Sequence, residues 1–314
     1  MNTDLNIRTE APALTTALVV GTRTGEIAHR DIGLIAPTEA DGITINRTKE
    51  RISPFVPIVK VPTHSSYTGN LAGYAVEIED ASEKSGFRVV GNVSANYLLL
   101  TNEEVRELAL EVAQRSGLPF RESRIFWDGA RFAHIIDFLG IEEDVCDGDG
   151  VGLSLVTRSS YDRSWRFETA LMGKRFACDN GALSGEFFAR VAFKHTQGES
   201  QEDDWKDVVR AGLSVVHRAP ESLGRFARAL RQLKDVPMTD EELRRVWKLA
   251  PSIGDGIKGK IMARYVEHEE ATLYGFFNAG TNVFWHNEKM TAADYANNDA
   301  FTSGLLRYAH EHRN

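Results

Sequence analysis

Cysteine is scarce in this sequence, since Cys146 and Cys178 are the only two in 314 residues. Two cysteines are too few for the disulfide framework of a small secreted domain. Neither belongs to a C-x-x-C pair, so a thiolate zinc site is not expected. The simplest interpretation is a pair of reduced thiols, which predicts a cytoplasmic protein.

Long apolar runs are also missing. The sequence has no stretch of ~18 consecutive apolar residues, and it therefore predicts no membrane-spanning helix. The apolar segment from Ala11 to Val20 is short, is interrupted by Pro12, Thr15 and Thr16, and follows no basic cluster. This is not the pattern of a signal peptide, so we expect no membrane partner.

An excess of positive charge is the third absence. The formal net charge is −8, which argues against wholesale coating of nucleic acid but leaves room for a local basic surface. Apolar residues make up 42% of the chain and charged residues 26%, a composition typical of a globular protein with a sizeable core.

The order of hydrophobic patterns divides the chain into three regions. Residues 1–50 are polar and rich in Thr and Gly, and we interpret them as a loosely ordered arm with a short strand near Leu18–Val20. Residues 51–198 predict a mainly β region with one helix, which opens with a capping box at Thr101 and Glu104. Residues 199–314 predict a helical region packed on the sheet. Strands first and helices last indicate an α+β fold, with an antiparallel meandering sheet followed by a C-terminal helical region.

The individual elements follow from turn residues and periodicity. Three prolines in 52–62 indicate an edge strand or an extended connector. Thr239 and Glu242 form a second possible capping box. The predicted helices after residue 200 are 203–217, 220–234, 239–250, 257–287 and 291–312. The predicted strands are 73–78, 87–93, 125–127, 132–139, 152–158, 165–171, 174–178 and 187–193.

Two segments resemble cofactor or metal motifs, but the residues around them do not fit those motifs. Gly254 to Gly259 matches G-x-G-x-x-G, but a helix precedes it where the dinucleotide fingerprint needs a strand, so we interpret it as a flexible loop between helices. The acidic residues between Glu142 and Asp149 lack the Glu at the twelfth position of an EF-hand loop, and a solvated turn is predicted instead. The histidines show no metal-ligand spacing. We therefore predict neither a metal nor a cofactor.

Four residues are candidates for catalysis. Cys178 could act as a nucleophile if a base lies nearby, and the alternative is a buried cysteine at the end of a strand. Asp162, Asp179 and Asn180 could be brought together by adjacent hairpins to hold Mg²⁺ for phosphodiester cleavage. These residues alone do not decide whether the chain is an enzyme.

Positive charge is concentrated in two groups. The first lies on predicted strands and is interleaved with aromatic residues: Arg158, Tyr161, Arg163, Trp165, Arg166, Lys174 and Arg175. The second lies on a predicted helix: Arg225, Arg228 and Arg231. Cations for phosphates and aromatic faces for bases suit single-stranded nucleic acid. The alternative interpretation is a solvated helix face and a hairpin with ordinary surface arginines.

Four segments resemble, in the same order, landmarks of a phage- and plasmid-borne family known as domain of unknown function 932. Residues 96–104 (NYLLLTNEE) resemble its Tyr followed by Asn-Glu and a helix, and 159–164 (SSYDRS) are similar to its Asn-Ser-His-Asp-Gly-Ser. Residues 174–181 (KRFACDNG) resemble Arg-x-Val-Cys-x-Asn, and 271–279 (ATLYGFFNA) resemble a helix with Trp-Gly-x-x-Asn-Ala. Tyr161, Arg163 and Tyr274 depart from the His, Gly and Trp of the family. The resemblance covers about residues 90–290 and implies a mobile-element gene without a defined reaction.

The leading hypothesis is therefore a nucleic-acid-binding accessory protein of a phage or plasmid, with single-stranded DNA as partner in recombination or replication. The arginine helix would extend the binding track or form a contact between subunits of a homo-oligomer. A metal-dependent nuclease-like or Cys-dependent enzyme and a protein that binds a host factor are the alternatives.

Overall fold

The structure is a computed structural model that describes residues 52–146, 149–175, 188, 190–193, 204–286 and 292–311, and strands at 44–47 and 180–182; at 44–47, 180–182, 204–206, 268, 292–293, 295 and 309–311 it describes the backbone alone. These residues form two sheets and a set of helices, which confirms the α+β prediction. The predicted strand near Leu18–Val20 lies outside the described residues.

The main sheet has seven strands, β1 (Thr44–Arg47), β5 (Phe120–Trp127), β6 (Arg131–Cys146), β7 (Asp149–Ser160), β8 (Phe167–Arg175), β9 (Asn180–Ala182) and β10 (Arg190–Phe193). Their order across the sheet is β1-β5-β6-β7-β8-β10, with β9 paired to β8. Neighbouring strands are antiparallel, except that β1 runs parallel to β5. The arm predicted at the start of the chain thus contributes one strand to this sheet.

A second, smaller sheet consists of β2 (Ile58–His64), β3 (Leu71–Glu79) and β4 (Phe87–Val93) in that order. Strand β2 lies at the edge of this sheet, which is one of the two placements predicted from the three prolines in 52–62, because a proline has no N–H to donate to a neighbouring strand. Strand β4 has the predicted bounds. The chain then reaches helix α1 (Asn102–Arg115) through a full capping box, in which Thr101 and Glu104 hydrogen-bond reciprocally.

The remaining helices are α2 (Asp204–His217), α3 (Ala219–Lys234), α4 (Asp240–Leu249), α5 (Asp255–His268), α6 (Leu273–Trp285) and α7 (Ala292–Glu311). Helices α1, α2 and α3 pack on the main sheet. One hydrophobic core contains buried residues of this sheet and of each described helix, α1 to α7. A smaller cluster on the opposite sheet face contains Phe126, Ile135, Val156 and Met172, and Trp285 at the end of α6 covers it.

Three predicted elements, one helix and two strands, had wrong boundaries. The helix predicted at 257–287 is two helices, because Thr272 caps a new helix and the chain around it pairs with Pro237. The strand predicted at 165–171 and the described start of the one predicted at 174–178 are one strand, β8, which passes through Gly173 without a break. Gly173 is there for packing, since a Cβ at this position would lie 2.4 Å from the Phe226 ring.

Two motif interpretations are also corrected. Gly254 is the N-cap of α5 and Gly256 and Gly259 lie within that helix, so this segment is a helix start and not a flexible loop. The acidic stretch predicted as a solvated turn is largely strand, since Glu142 to Asp144 pair with β7 and Asp149 is 5% exposed. At the second capping box only one half forms: Thr239 accepts from the Glu242 backbone, while the Glu242 side chain contacts Arg245 and Tyr308.

Candidate nucleic-acid interface

The connection between β7 and β8, residues 161–166, is a tightly bonded surface loop at one end of the main sheet. Asp162 Oδ1 accepts a hydrogen bond of 2.9 Å from the Ser164 backbone N–H. Arg131 donates to Ser164 Oγ at 2.7 Å and pairs with Asp162 at 3.3 Å. Partial burial would raise the pKa of Asp162, but these hydrogen bonds and the Arg131 charge outweigh it and lower the pKa. The loop is therefore held in one shape by its own polar contacts.

Arg163 and Arg166 project from this loop into solvent. Neither forms an ion pair with a carboxylate among the described residues. Arg163 has a φ of 65°, a left-handed conformation that is unfavourable for a residue with a Cβ. Non-glycine residues in this region are found where the surrounding contacts enforce them, and such positions are frequent at functional sites. The loop thus holds one strained and exposed cation beside another.

Beneath the loop, Tyr161 anchors it to the core. Its side chain is 3% exposed and packs edge-on against Trp127 with ring centroids 6.0 Å apart. Burial raises the pKa of its hydroxyl well above the usual value. Tyr97 donates from its hydroxyl to the Ser160 carbonyl at 2.7 Å. The ring of Tyr161 therefore has no face open for the base stacking that we predicted for it.

Trp165 and Arg158 lie at the edge of the same loop and are engaged with each other. The Arg158 guanidinium lies 5.2 Å from the Trp165 ring centroid and pairs with Glu168 at 2.9 Å. Trp165 also packs against Phe126, 6.1 Å away between centroids. Arg158 is thus neutralised within the sheet, and Trp165 is half-buried.

The two cations at the other end of β8 are internal. Lys174 is 6% exposed and its Nζ lies 2.7 Å from Asp137 Oδ2, while Ser154 donates to the other Asp137 oxygen at 2.8 Å. Arg175 pairs with Asp149 at 2.6 Å on the opposite face of the sheet, and Tyr274 donates to the same carboxylate. Lys174 is therefore buried and Arg175 is partly buried, and the charge of each is paired with an aspartate, so neither is available in a surface groove.

The arginines of α3 form a separate surface. Arg225 and Arg228 are exposed, with Glu221 4.0 Å from Arg225. Arg231 turns away from them toward the β6–β7 turn, where it donates to the Asp144 carbonyl and lies 3.9 Å from Glu143. This turn is at the opposite end of β7 from the 161–166 loop, a separation of ~35 Å for a strand of that length. The two basic groups predicted from the sequence are thus not adjacent.

The catalytic candidates are not brought together either. Asp162 precedes β8, whereas Asn180 follows it and its backbone pairs with Arg175, so the whole length of β8 separates them. Cys178 and Asp179 lie outside the described residues. Within the part of the chain that the structure describes, no three His, Cys, Asp or Glu side chains are placed to hold a metal ion. In that same part, no helix has the length and hydropathy needed to cross a membrane.

A feature that the sequence analysis missed lies in the small sheet, which touches the loop directly. A Cβ on Gly91 of β4 would lie 2.2 Å from the Tyr161 carbonyl oxygen, so only glycine lets the two backbones pass this closely. From this contact the β2–β3 hairpin extends outward and carries Tyr67 at its turn, 98% exposed. The signal in the sequence was residues 61–76, which contain no Asp, Glu, Lys or Arg around a Thr-Gly-Asn turn.

Comparisons with known proteins add no identity: no family model matches the chain, and neither a curated protein nor a solved structure does.

Proposed function

We propose that this chain binds single-stranded nucleic acid, as an accessory protein of phage or plasmid recombination or replication. The observation that carries the proposal is the pair of exposed cations, Arg163 and Arg166, on a loop whose shape is fixed by Asp162 and Arg131. Phosphates are recognised by such unpaired arginines, and a rigid loop loses little conformational entropy on binding.

The footprint proposed now is smaller than the one predicted from the sequence. It keeps Arg163 and Arg166 and leaves out Lys174 and Arg175, because their charges are satisfied inside the protein. It includes neither a metal nor a cofactor. The net charge of −8 means that binding would depend on this local surface and would be sensitive to salt.

Relationship to domain of unknown function 932 is part of the same proposal. The four segments that resemble the family meet in two pairs: Tyr97 of the first bonds to Ser160 of the second, and Arg175 of the third lies over the ring of Tyr274 of the fourth. Arg163, where the family has Gly, is the one described non-glycine residue with positive φ. Segments that converge in space, and a glycine position with a left-handed backbone, are what a shared fold would produce.

The proposal is tested by fluorescence anisotropy of a labelled single-stranded oligonucleotide between ~50 and 200 mM salt, with duplex for comparison. We expect wild-type protein to prefer single strands. The double variant Arg163→Ala, Arg166→Ala should bind more weakly and lower the salt slope by about one to two.

The matched control is Arg218→Ala, Arg228→Ala, which removes two exposed arginines, one at the N-cap of α3 and one within that helix. We expect its slope to equal that of the wild type. Absence of wild-type binding at the lowest salt would contradict the proposal, and equal weakening of both double variants would show that the loop is not the specific site.

A further inference from the structure

The β2–β3 hairpin presents an aromatic ring to solvent on a rigid, uncharged turn. Ser65 organises the turn: its backbone pairs with Gly69 and Asn70 at 2.8 and 2.9 Å, and its hydroxyl accepts from the backbone of Tyr67 and Thr68 at 3.3 Å. Gly69 supplies the left-handed conformation, with a φ of 70°. The position of Tyr67 is therefore set by backbone hydrogen bonds and not by packing of its side chain.

The side chain of Tyr67 is the most exposed of the large hydrophobic residues that the structure describes. Tyr67 is 98% and Leu71 53% exposed, although both are large and apolar enough to be buried elsewhere in the fold. Neither contributes to a described hydrophobic cluster. Because residues 61–76, which form the outer part of the hairpin, contain no Asp, Glu, Lys or Arg, an ionic partner is not indicated, and the ring itself is the available binding group.

The β2–β3 hairpin is connected to the 161–166 loop through strand β4. Gly91 touches the loop and pairs with Val76 of β3, and from Val76 to Leu71 the strand rises by ~17 Å. The turn with Tyr67 follows directly. A strand of a few nucleotides covers such a distance, and site sizes of ~4–16 nucleotides are usual for single-strand binding.

We propose that Tyr67 is a base-stacking residue that makes the interface selective for single strands. This inference rests on the proposed function, in which Arg163 and Arg166 hold the phosphates. A tyrosine face stacks on any unpaired base but reaches none in an intact duplex, where both base faces are covered. The stacking role that the sequence suggested for Tyr161 and Trp165 is thereby assigned to a residue whose ring is open.

The test compares Tyr67→Ala with Tyr67→Phe in the anisotropy assay, on the full chain. We expect Tyr67→Ala to weaken single-strand binding by about 5- to 100-fold, the range of one lost aromatic stack, with an unchanged salt slope because no charge is removed. Tyr67→Phe keeps the ring and should bind within about 2-fold of the wild type. Unfolding midpoints equal to the wild type would confirm that these surface changes leave the fold intact.

A second measurement locates the contact. An oligonucleotide containing 5-iodouracil is cross-linked by light, and we expect the cross-linked peptide to contain Tyr67. Equal affinity of Tyr67→Ala and wild type, or cross-links that avoid the hairpin, would overturn the stacking role while the loop variant still tests the phosphate contacts. If the wild type does not bind at all, the proposed function fails and the stacking role fails with it.

Discussion

The two ends of β8 carry the same kinds of residue and use them in opposite ways. At the β7–β8 loop, Arg163 and Arg166 stand in solvent without a carboxylate partner among the described residues. At the far end, Lys174 and Arg175 are each held by an aspartate inside the fold. In the sequence, all four belong to one basic segment.

The difference shows that the pairing of strands, and not the count of charges, decides which cations are available. Asp137 and Asp149 reach Lys174 and Arg175 because β6, β7 and β8 lie side by side. Arg158, which also lies within a strand, meets Glu168 directly across the β7–β8 pair. The arginines of the loop lie beyond the last paired residues and so have no cross-strand partner.

The sharpest contrast concerns stability. Lys174→Met should lower the free energy of unfolding by up to about 3–5 kcal/mol, because it removes the closer and buried cation of Asp137 and leaves only the exposed Arg121, 3.5 Å away. Arg166→Met, at the exposed end, should change it by less than about 0.5 kcal/mol. Denaturant unfolding of the two variants measures both. Adding Asp137→Asn to Lys174→Met should restore part of the lost stability. Similar losses for Lys174→Met and Arg166→Met would contradict the difference between the paired and the exposed cations.

The loop end also contains a buried charge, at the start of α1 beneath Tyr161. Burial raises the pKa of Glu104 to about 7, against the hydrogen bonds from Thr101. A raised pKa means that the folded state binds the proton more tightly, so stability should fall as the pH rises from about 4.5 to about 7 and level off above that. The total contribution is up to about 3 kcal/mol.

Unfolding free energies of the wild type and Glu104→Gln between pH 4.5 and 8 test this contribution. Glutamine keeps an acceptor for the Thr101 N–H and does not titrate, so its profile should lack this fall. Parallel profiles for the two proteins would show that Glu104 does not carry the pH dependence.

The smallest effect is expected at Arg163. Glycine adopts a φ of 65° without strain, and Arg163→Gly should stabilise the fold by about 0.5 kcal/mol after its larger unfolded-state entropy is counted. Arg163→Ala removes the same charge but keeps the strained Cβ, so it is the matched control. Thermal unfolding should place the Gly variant above the Ala variant, and the reverse order would mean that the loop does not enforce this conformation.

Much of the fold could be predicted because its signals are local. The capping box at Thr101 and Glu104 fixes the start of α1 through contacts within four residues. Strand β4 and the starts of most helices follow in the same way from periodicity and caps. The break before α6 could not be predicted, because residues 269–272 contain neither Gly nor Pro and the helix stops where the Leu273 N–H bonds to the Val236 carbonyl.

The candidate site could be predicted only in part. The sequence drew attention to the segment that contains Arg163 and Arg166, but it could not separate them from Lys174 and Arg175, whose partners lie 37 and 26 residues away. Tyr67 was not predicted, because an uncharged turn gives no signal in the sequence and the 98% exposure of its ring is seen only in the structure.

The adjacent pair Lys174 and Arg175 has a consequence for how the sheet assembles. Successive residues of a strand face opposite sides, so Lys174 meets Asp137 on one face and Arg175 meets Asp149 on the other. A shift of β8 by one residue would turn both cations to the wrong face of the sheet. All four charged groups would then lose their partners. The two ion pairs, one on each face of the sheet, thus favour a single register of β8.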